Sequence, residues 1–162
     1  IVVTSDHETG GMALGWDHYE IRMNKLTAQK CSALGVTQRM QQMRAEGKRD
    51  WKEYKQLLSD CLGLWSHVEV TKEEEELLKD DFYNIFLKYG PMVDGLYNKN
   101  EYVVYHAVRI LNRHASIDWT SLYHTGLYTP IYVNGVGESK FLECRDQTDI
   151  PKTIATIMGG EL

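Results

Sequence analysis

The sequence predicts an α/β domain, and three observations carry that prediction. An apolar, β-branched run, Ile1-Val2-Val3-Thr4, ends in ligand-type side chains and glycines at Asp6-His7-Glu8-Thr9-Gly10-Gly11. Helical spacing and helix-capping signals dominate from Ser32 to Arg113, and short β-rich pieces follow Ser116. Such a run delivering carboxylate and imidazole from its C-terminal end reads as a strand that presents metal ligands, because open α/β sheets gather their sites at strand ends.

After the strand, Trp16 to Met23 mixes aromatic and charged residues without a clear period and leads into a helical segment. From Ser32, Val36, Met40 and Met43 fall on one helix face, and Gly47 is a stop. A second helix starts near Asp50, places Trp51, Tyr54, Leu57, Leu58 and Cys61 at helical spacing, and ends near Gly63. Thr71-Lys72-Glu73-Glu74 has the spacing of a capping box, so the acidic run Glu73 to Glu76 is a solvated helix start favoured by the helix dipole. Phe82, Ile85, Phe86 and Tyr89 form that helix's buried face, and Gly90-Pro91 ends it. Asn100 to Arg113 reads as a helix apolar over much of its circumference, hence one lying between layers. Ile131-Tyr132-Val133 reads as a buried strand and Phe141-Leu142 as an edge strand. Thr148 or Asp149 caps a last helix whose first turn accommodates Pro151, where a missing amide costs nothing.

Composition bounds the function classes. The 162 residues make about one domain, large enough to bury a core. Eighteen basic against twenty-three acidic side chains give a net charge of -5, which excludes a general attraction to nucleic acid. No apolar run approaches the ~18 residues a membrane span requires. Ile1-Val2-Val3 has neither the basic start nor the cleavage site of a signal peptide, and a strand already under way at Ile1 reads as an internal or C-terminal piece of a longer protein. Cys31, Cys61 and Cys144 are odd in number and lack short paired spacing, which argues against a zinc knuckle or a disulfide framework; each reads as a small buried hydrophobe.

Asp6-His7-Glu8-Thr9-Gly10-Gly11 and the later His124-Thr125-Gly126 closely resemble the metal-ligand motifs of the alkaline phosphatase family. Thr129 to Gly137 resembles that family's last core strand and glycine turn. Asp146-Gln147-Thr148-Asp149-Ile150, with Ile154 and Met158-Gly159, resembles its closing helix. The resemblance covers residues 1 to about 15 and 116 to 160, in the family's order. It implies an α/β fold that is the C-terminal part of a three-layer sandwich with parallel strands. Residues 1-162 would form a single incomplete domain, with 17-115 a mainly helical insertion serving as crown, lid or subunit contact.

The resemblance also implies the chemistry. Asp6 and His7 would bind the zinc that contacts a serine nucleophile, and His124 a second zinc that activates water. A complete site of that family holds two zinc ions and a magnesium ion, and works through a phosphoseryl intermediate on phosphomonoesters. The nucleophilic serine, the magnesium ligands and the other zinc ligands come from sequence preceding the Asp-His-Glu strand, so no catalytic residue is expected here and the chain alone is expected to bind zinc poorly. Glu8 reads as a carboxylate that orients ligands by hydrogen bonding, and Thr9-Gly10-Gly11, Thr125 and Gly126 as backbone supports. A periplasmic or extracellular location follows from the family. A truncated sheet leaves a strand edge that recruits a partner, which predicts self-association as a homo-oligomer.

The other histidines read differently. His106 falls within an apolar helix as a hydrogen-bonded core or interface residue, His114 lies at a helix end where a cation is favoured, and His18 and His67 sit in loops. Two alternatives stand beside the phosphatase: a related metal-dependent phosphodiesterase or phosphomutase, and a non-catalytic structural or interaction module.

Overall fold

The computed structural model describes residues 1–15, 19–95 and 97–160. The expected insertion boundary at residue 17, and His18, lie outside the described residues. In chain order the regular elements are β1 (Val2–Val3), β2 (Glu8–Thr9), β3 (Met12–Leu14), α1 (Ala33–Ala45), α2 (Trp51–Leu62), α3 (Lys72–Asn84), β4 (Val93–Asp94), β5 (Lys99–Asn100), α4 (Tyr102–His114), β6 (Ile117–Trp119), β7 (His124–Thr125), β8 (Tyr132–Val133) and α5 (Asp149–Ile157). Short 3-10 turns occupy Met23–Ala28, Phe86–Lys88 and Glu138–Glu143. The chain divides into two compact units, one comprising 12–123 and the other 1–11 with 124 onward.

The larger unit contains α1 to α4. Its helices begin where short polar side chains satisfy the first amides: Ser32 Oγ accepts from the Gly35 amide at 3.2 Å and Asp50 Oδ1 from the Lys52 amide at 3.0 Å. At α3 both halves of the capping box form, Thr71 Oγ1 accepting from the Glu74 amide and Glu74 Oε2 from the Thr71 amide. Gly63 ends α2 with φ of 76°, a left-handed conformation that a side chain disfavours. Apolar faces then meet in one cluster. Tyr54, Phe82 and Phe86 are fully or almost fully buried and touch as rings, Tyr54 to Phe82 at 4.6 Å and Tyr54 to Phe86 at 5.4 Å between centroids. Val36, Met40, Leu58, Leu78, Val103 and Leu111 belong to the same cluster. Burying each such side chain is worth roughly 1.5–3 kcal/mol, so this cluster supplies the unit's main stabilisation.

Two features differ from the sequence reading of α3. The helix ends at Asn84, and Tyr89 is 67% exposed rather than buried; its φ of 54° turns the chain, and the Arg44 guanidinium lies 4.1 Å from its ring centroid. The acidic run is also more than a solvated start. Glu75 accepts from Lys55 Nζ at 2.7 Å and Trp65 Nε1 at 3.1 Å, and pairs with Lys79 Nζ at 3.0 Å. His106 agrees with its reading, its Nδ1 lying 2.6 Å from Asp81 Oδ2.

Among the described residues the four strand pairs are antiparallel, where parallel strands were expected. Each strand is two or three residues long, and pairing follows chain reversal instead of a βαβ crossover. The described residues are thus a mixed α and β structure of helices with small antiparallel ladders. In the smaller unit, Tyr132–Val133 is a strand as expected, but Tyr132 is 66% exposed. Phe141-Leu142 lies in a 3-10 turn, not an edge strand: Gly137 enters it with φ of 82°, and Phe141 is buried while Leu142 faces solvent. The last helix starts at Asp149 with Pro151 in its first turn, as predicted, but the expected side-chain cap does not form: Thr148 Oγ1 bonds Asp146 and Asp149 accepts from the preceding loop.

Two outcomes follow for stability. Burial opposes ionisation of Glu75, but hydrogen bonds from Lys55, Lys79 and Trp51 outweigh it and hold the carboxyl down at about 2. Because the folded pKa lies below the unfolded value of about 4.3, this stabilisation is complete above that pH and is lost as pH falls toward 2. Urea unfolding of wild type and Glu75→Gln should show a gap on the order of 1–2 kcal/mol at pH 7, discounted for the partly exposed lysines, that closes between about pH 4.5 and 2. At Gly63 an added Cβ would overlap the Ala28 side chain and strain a positive φ. Gly63→Ala should therefore lower unfolding free energy by about 2–4 kcal/mol in the same assay.

Candidate functional site

The candidate residues all fall in the smaller unit, at the pairing of β2 with β7. Glu8 stands opposite Thr125, and Thr9 opposite His124. Side chains alternate along extended backbone, so His7 shares the face of Thr9 and meets His124 across the ladder. The two imidazoles stack, with ring centroids 3.3 Å apart and 24° between their planes. Two histidines remote in sequence are thereby brought into contact.

The turn after β2 fixes the ladder. Gly10 and Gly11 have φ of 81° and 61°, successive left-handed residues that β-branched or bulky side chains resist. That turn directs the Gly11 amide at the Glu8 carboxylate, which accepts at 3.0 and 2.9 Å through its two oxygens. Thr125 Oγ1 also donates to Glu8 Oε2. Glu8 therefore joins its own turn to the facing strand, and Thr125 is its partner there.

Asp6 and His7 occupy the approach to β2. His7 Nδ1 lies 3.0 Å from the Glu8 carbonyl oxygen, which only accepts, so Nδ1 is the ring nitrogen placed to donate there. Nε2 is 3.6 Å from Asp6 Oδ1, with the Asp6 side chain 84% exposed and that of His7 27%. The separation is near the ~3.3 Å expected between two ligands of one tetrahedral zinc. Imidazole nitrogen and carboxylate oxygen are also donor types that zinc takes. Among the described residues, no group of three or more His, Cys, Asp or Glu side chains converges to hold a metal. The donors therefore fit zinc in kind, and in number they form part of a shell.

The chain is 25% identical over 158 residues to alkaline phosphatase 4 of Bacillus subtilis. The alignment covers 98% of this chain and 29% of that relative, so the chain spans less than a third of the length of the curated protein it matches. At 98% coverage the similarity extends through the helical unit as well as both histidine motifs. No protein-family model matches the chain, and no solved structure matches it. Part of a phosphatase is thus what this sequence is similar to.

Two supports were not singled out from sequence. Gln147 Nε2 donates to the carbonyls of Ser5, at 3.1 Å, and Asp6, tying the backbone of the ligand turn to the segment that opens α5. Thr4 Oγ1 donates to the Pro130 carbonyl at 3.0 Å. The signal for Gln147 was its place in Asp146-Gln147-Thr148-Asp149, read only as a helix start. Asp149 accepts from the Arg145 and Asp146 amides at 3.0 and 3.1 Å, and these bonds lower its carboxyl pKa and shape the loop that presents Gln147.

Removing the Glu8 carboxylate leaves the Gly11 amide and Thr125 hydroxyl to find other partners. Glu8→Ala is expected to speed hydrogen exchange at the Gly11 amide by about tenfold or more, with a smaller increase for Thr125→Val, measured by NMR or mass spectrometry.

Proposed function

We propose that this chain contributes part of the metal site of a zinc-dependent phosphomonoesterase of alkaline phosphatase type. The observation that carries the reading is the contact of His7 with both His124, stacked on its ring, and Asp6, whose Oδ1 lies 3.6 Å from His7 Nε2. Similarity to part of a bacterial alkaline phosphatase supports it.

In this reading Asp6 and His7 hold one zinc and His124 contributes to a second. Bound zinc supplies polarisation of phosphoryl oxygens and stabilises charge on the attacking and leaving oxygens. The backbone carbonyl of Glu8 orients the His7 ring, the stacked His124 ring limits rotation of its neighbour, and Gln147 holds the carbonyl of Asp6. The serine nucleophile, the remaining zinc ligands and the magnesium ligands come from outside these residues, so the 162-residue chain by itself hydrolyses phosphate esters negligibly. Exposed apolar side chains of the smaller unit, among them Leu127, Tyr128, Val136 and Leu142, suit surfaces that further sequence or a second copy would cover. The reading carries with it a periplasmic or extracellular location.

Zinc content and p-nitrophenyl phosphate hydrolysis of the full-length protein test this. His7→Ala and His124→Ala should each lower zinc occupancy and reduce turnover by about two orders of magnitude or more. Undiminished zinc and turnover in both variants would remove the assignment. Stoichiometric zinc with robust turnover in the 162-residue chain alone would overturn the division of the site.

A further inference from the structure

We propose that Cys31 and Cys61 are a covalent redox site of the helical unit, two thiols placed to close into a reversible disulfide. The inference is independent of the phosphatase reading. The two sulfurs lie 2.9 Å apart, against roughly 2.05 Å in a formed disulfide. Their backbones are already joined: the amides of Lys30 and Cys31 both donate to the Cys61 carbonyl, at 2.8 and 3.3 Å. The contact is therefore not an accident of two mobile side chains, because the segment entering α1 is pinned to the last turn of α2. Cys31 packs partly buried against the hydrophobic cluster, and Cys61 is 1% exposed within it.

The surroundings assign different parts to the two sulfurs. Cys31 is the more accessible and meets an external oxidant first. Cys61 is shielded, and burial together with the Cys31 hydrogen bond pushes its thiol up to about 11, while Arg39 Nη1, 3.3 Å from its sulfur, favours the thiolate. With a small-molecule disulfide as oxidant, the Cys31 thiolate attacks one sulfur, breaks that S–S bond and releases one thiolate, leaving a mixed disulfide at Cys31. Cys61 then gives its proton to solvent and attacks the Cys31 sulfur, releasing the second thiolate. Two protein thiols are oxidised and one external disulfide is reduced to two thiols. The resulting bond encloses α1, α2 and their connection, so it removes freedom from the unfolded chain across a loop of about 30 residues.

Sequence spacing alone argued against such a pair, since the two cysteines lie far apart and a third is present. Cys144 belongs to the other unit, where its sulfur lies 3.4 Å from Thr153 Oγ1.

The test treats the folded full-length protein with oxidised glutathione, blocks free thiols with iodoacetamide, digests with trypsin and analyses peptides without reductant. The expected product joins the peptide 31–39 to the peptide 56–72, with a mass about two hydrogens below their sum, and dithiothreitol separates them. Oxidation should raise the melting temperature by on the order of 5–10 °C, an increase absent in Cys31→Ser and retained in Cys144→Ser. Recovery of both cysteines fully alkylated, a stable glutathione adduct at Cys31 with Cys61 free, or a cross-link to Cys144 instead would each overturn the proposal.

Discussion

The carboxylate of Glu8 joins two parts of the chain 117 residues apart, and the candidate site depends on that connection. It accepts from the Gly11 amide within its own turn and from the Thr125 hydroxyl on the facing strand. Charge-assisted bonds of this kind are about twice as strong as neutral ones, and here they fix register as well as proximity. A one-residue slip would carry His124 to the opposite face of the ladder and separate it from His7. Following the histidine directly, the acidic residue lies on the ladder face it shares with Thr125, and the histidine on the face it shares with His124.

Stabilisation and candidate chemistry lie in different units. The buried cluster runs from Val36 to Leu111, entirely within the helical unit, whereas α5 contains no buried residue and the smaller unit exposes many of its apolar side chains. The helical unit begins and ends with β3 paired to β6, so the chain enters and leaves it at neighbouring points. Asp118 lies within that ladder and is buried; burial opposes its charge, but Arg109 at 2.8 Å, the Trp119 amide at 2.9 Å and Arg113 at 3.3 Å overcome this and lower its pKa. A satisfied buried carboxylate at the closing strand favours a unit that holds its own register.

The helices were legible in the sequence because capping chemistry and periodicity are local. Ser32, Asp50, Thr71 and Glu74 bond as their types and spacing predict, and Gly63 stops α2. Of the strands, β1 and β8 were legible in position and not in direction, and the others went unread, since two-residue pairings record no period and their partners are set by distant loops. Phe141-Leu142 misled because an apolar pair carries no signal for the preceding Gly137 turn. At the candidate site, the motifs singled out Asp6, His7, Glu8, His124 and Thr125, which lie together along the β2–β7 ladder and its approach. The contribution of Gln147 needed coordinates, because it acts on backbone carbonyls and leaves no pairing rule in the sequence.

The histidines show why residue type alone does not define a ligand. His106 places Nδ1 at 2.6 Å from Asp81, and His114 Nε2 lies within 3.2 Å of Glu74, so each imidazole uses a nitrogen in a pair with a carboxylate of the same helix, α3. Those contacts join α3 to α4 and account for both residues without a metal. His7 differs in its surroundings: its Nδ1 lies 3.0 Å from the Glu8 carbonyl, its Nε2 3.6 Å from the Asp6 carboxylate, and its ring is stacked on that of His124. The distinction is the setting of the carboxylate: Asp81 is buried where two helices meet, whereas the Asp6 side chain is 84% exposed, so a cation has access to its oxygen and to the neighbouring imidazole. By that criterion Asp6 and His7 are the adjacent oxygen and nitrogen donors open to a cation.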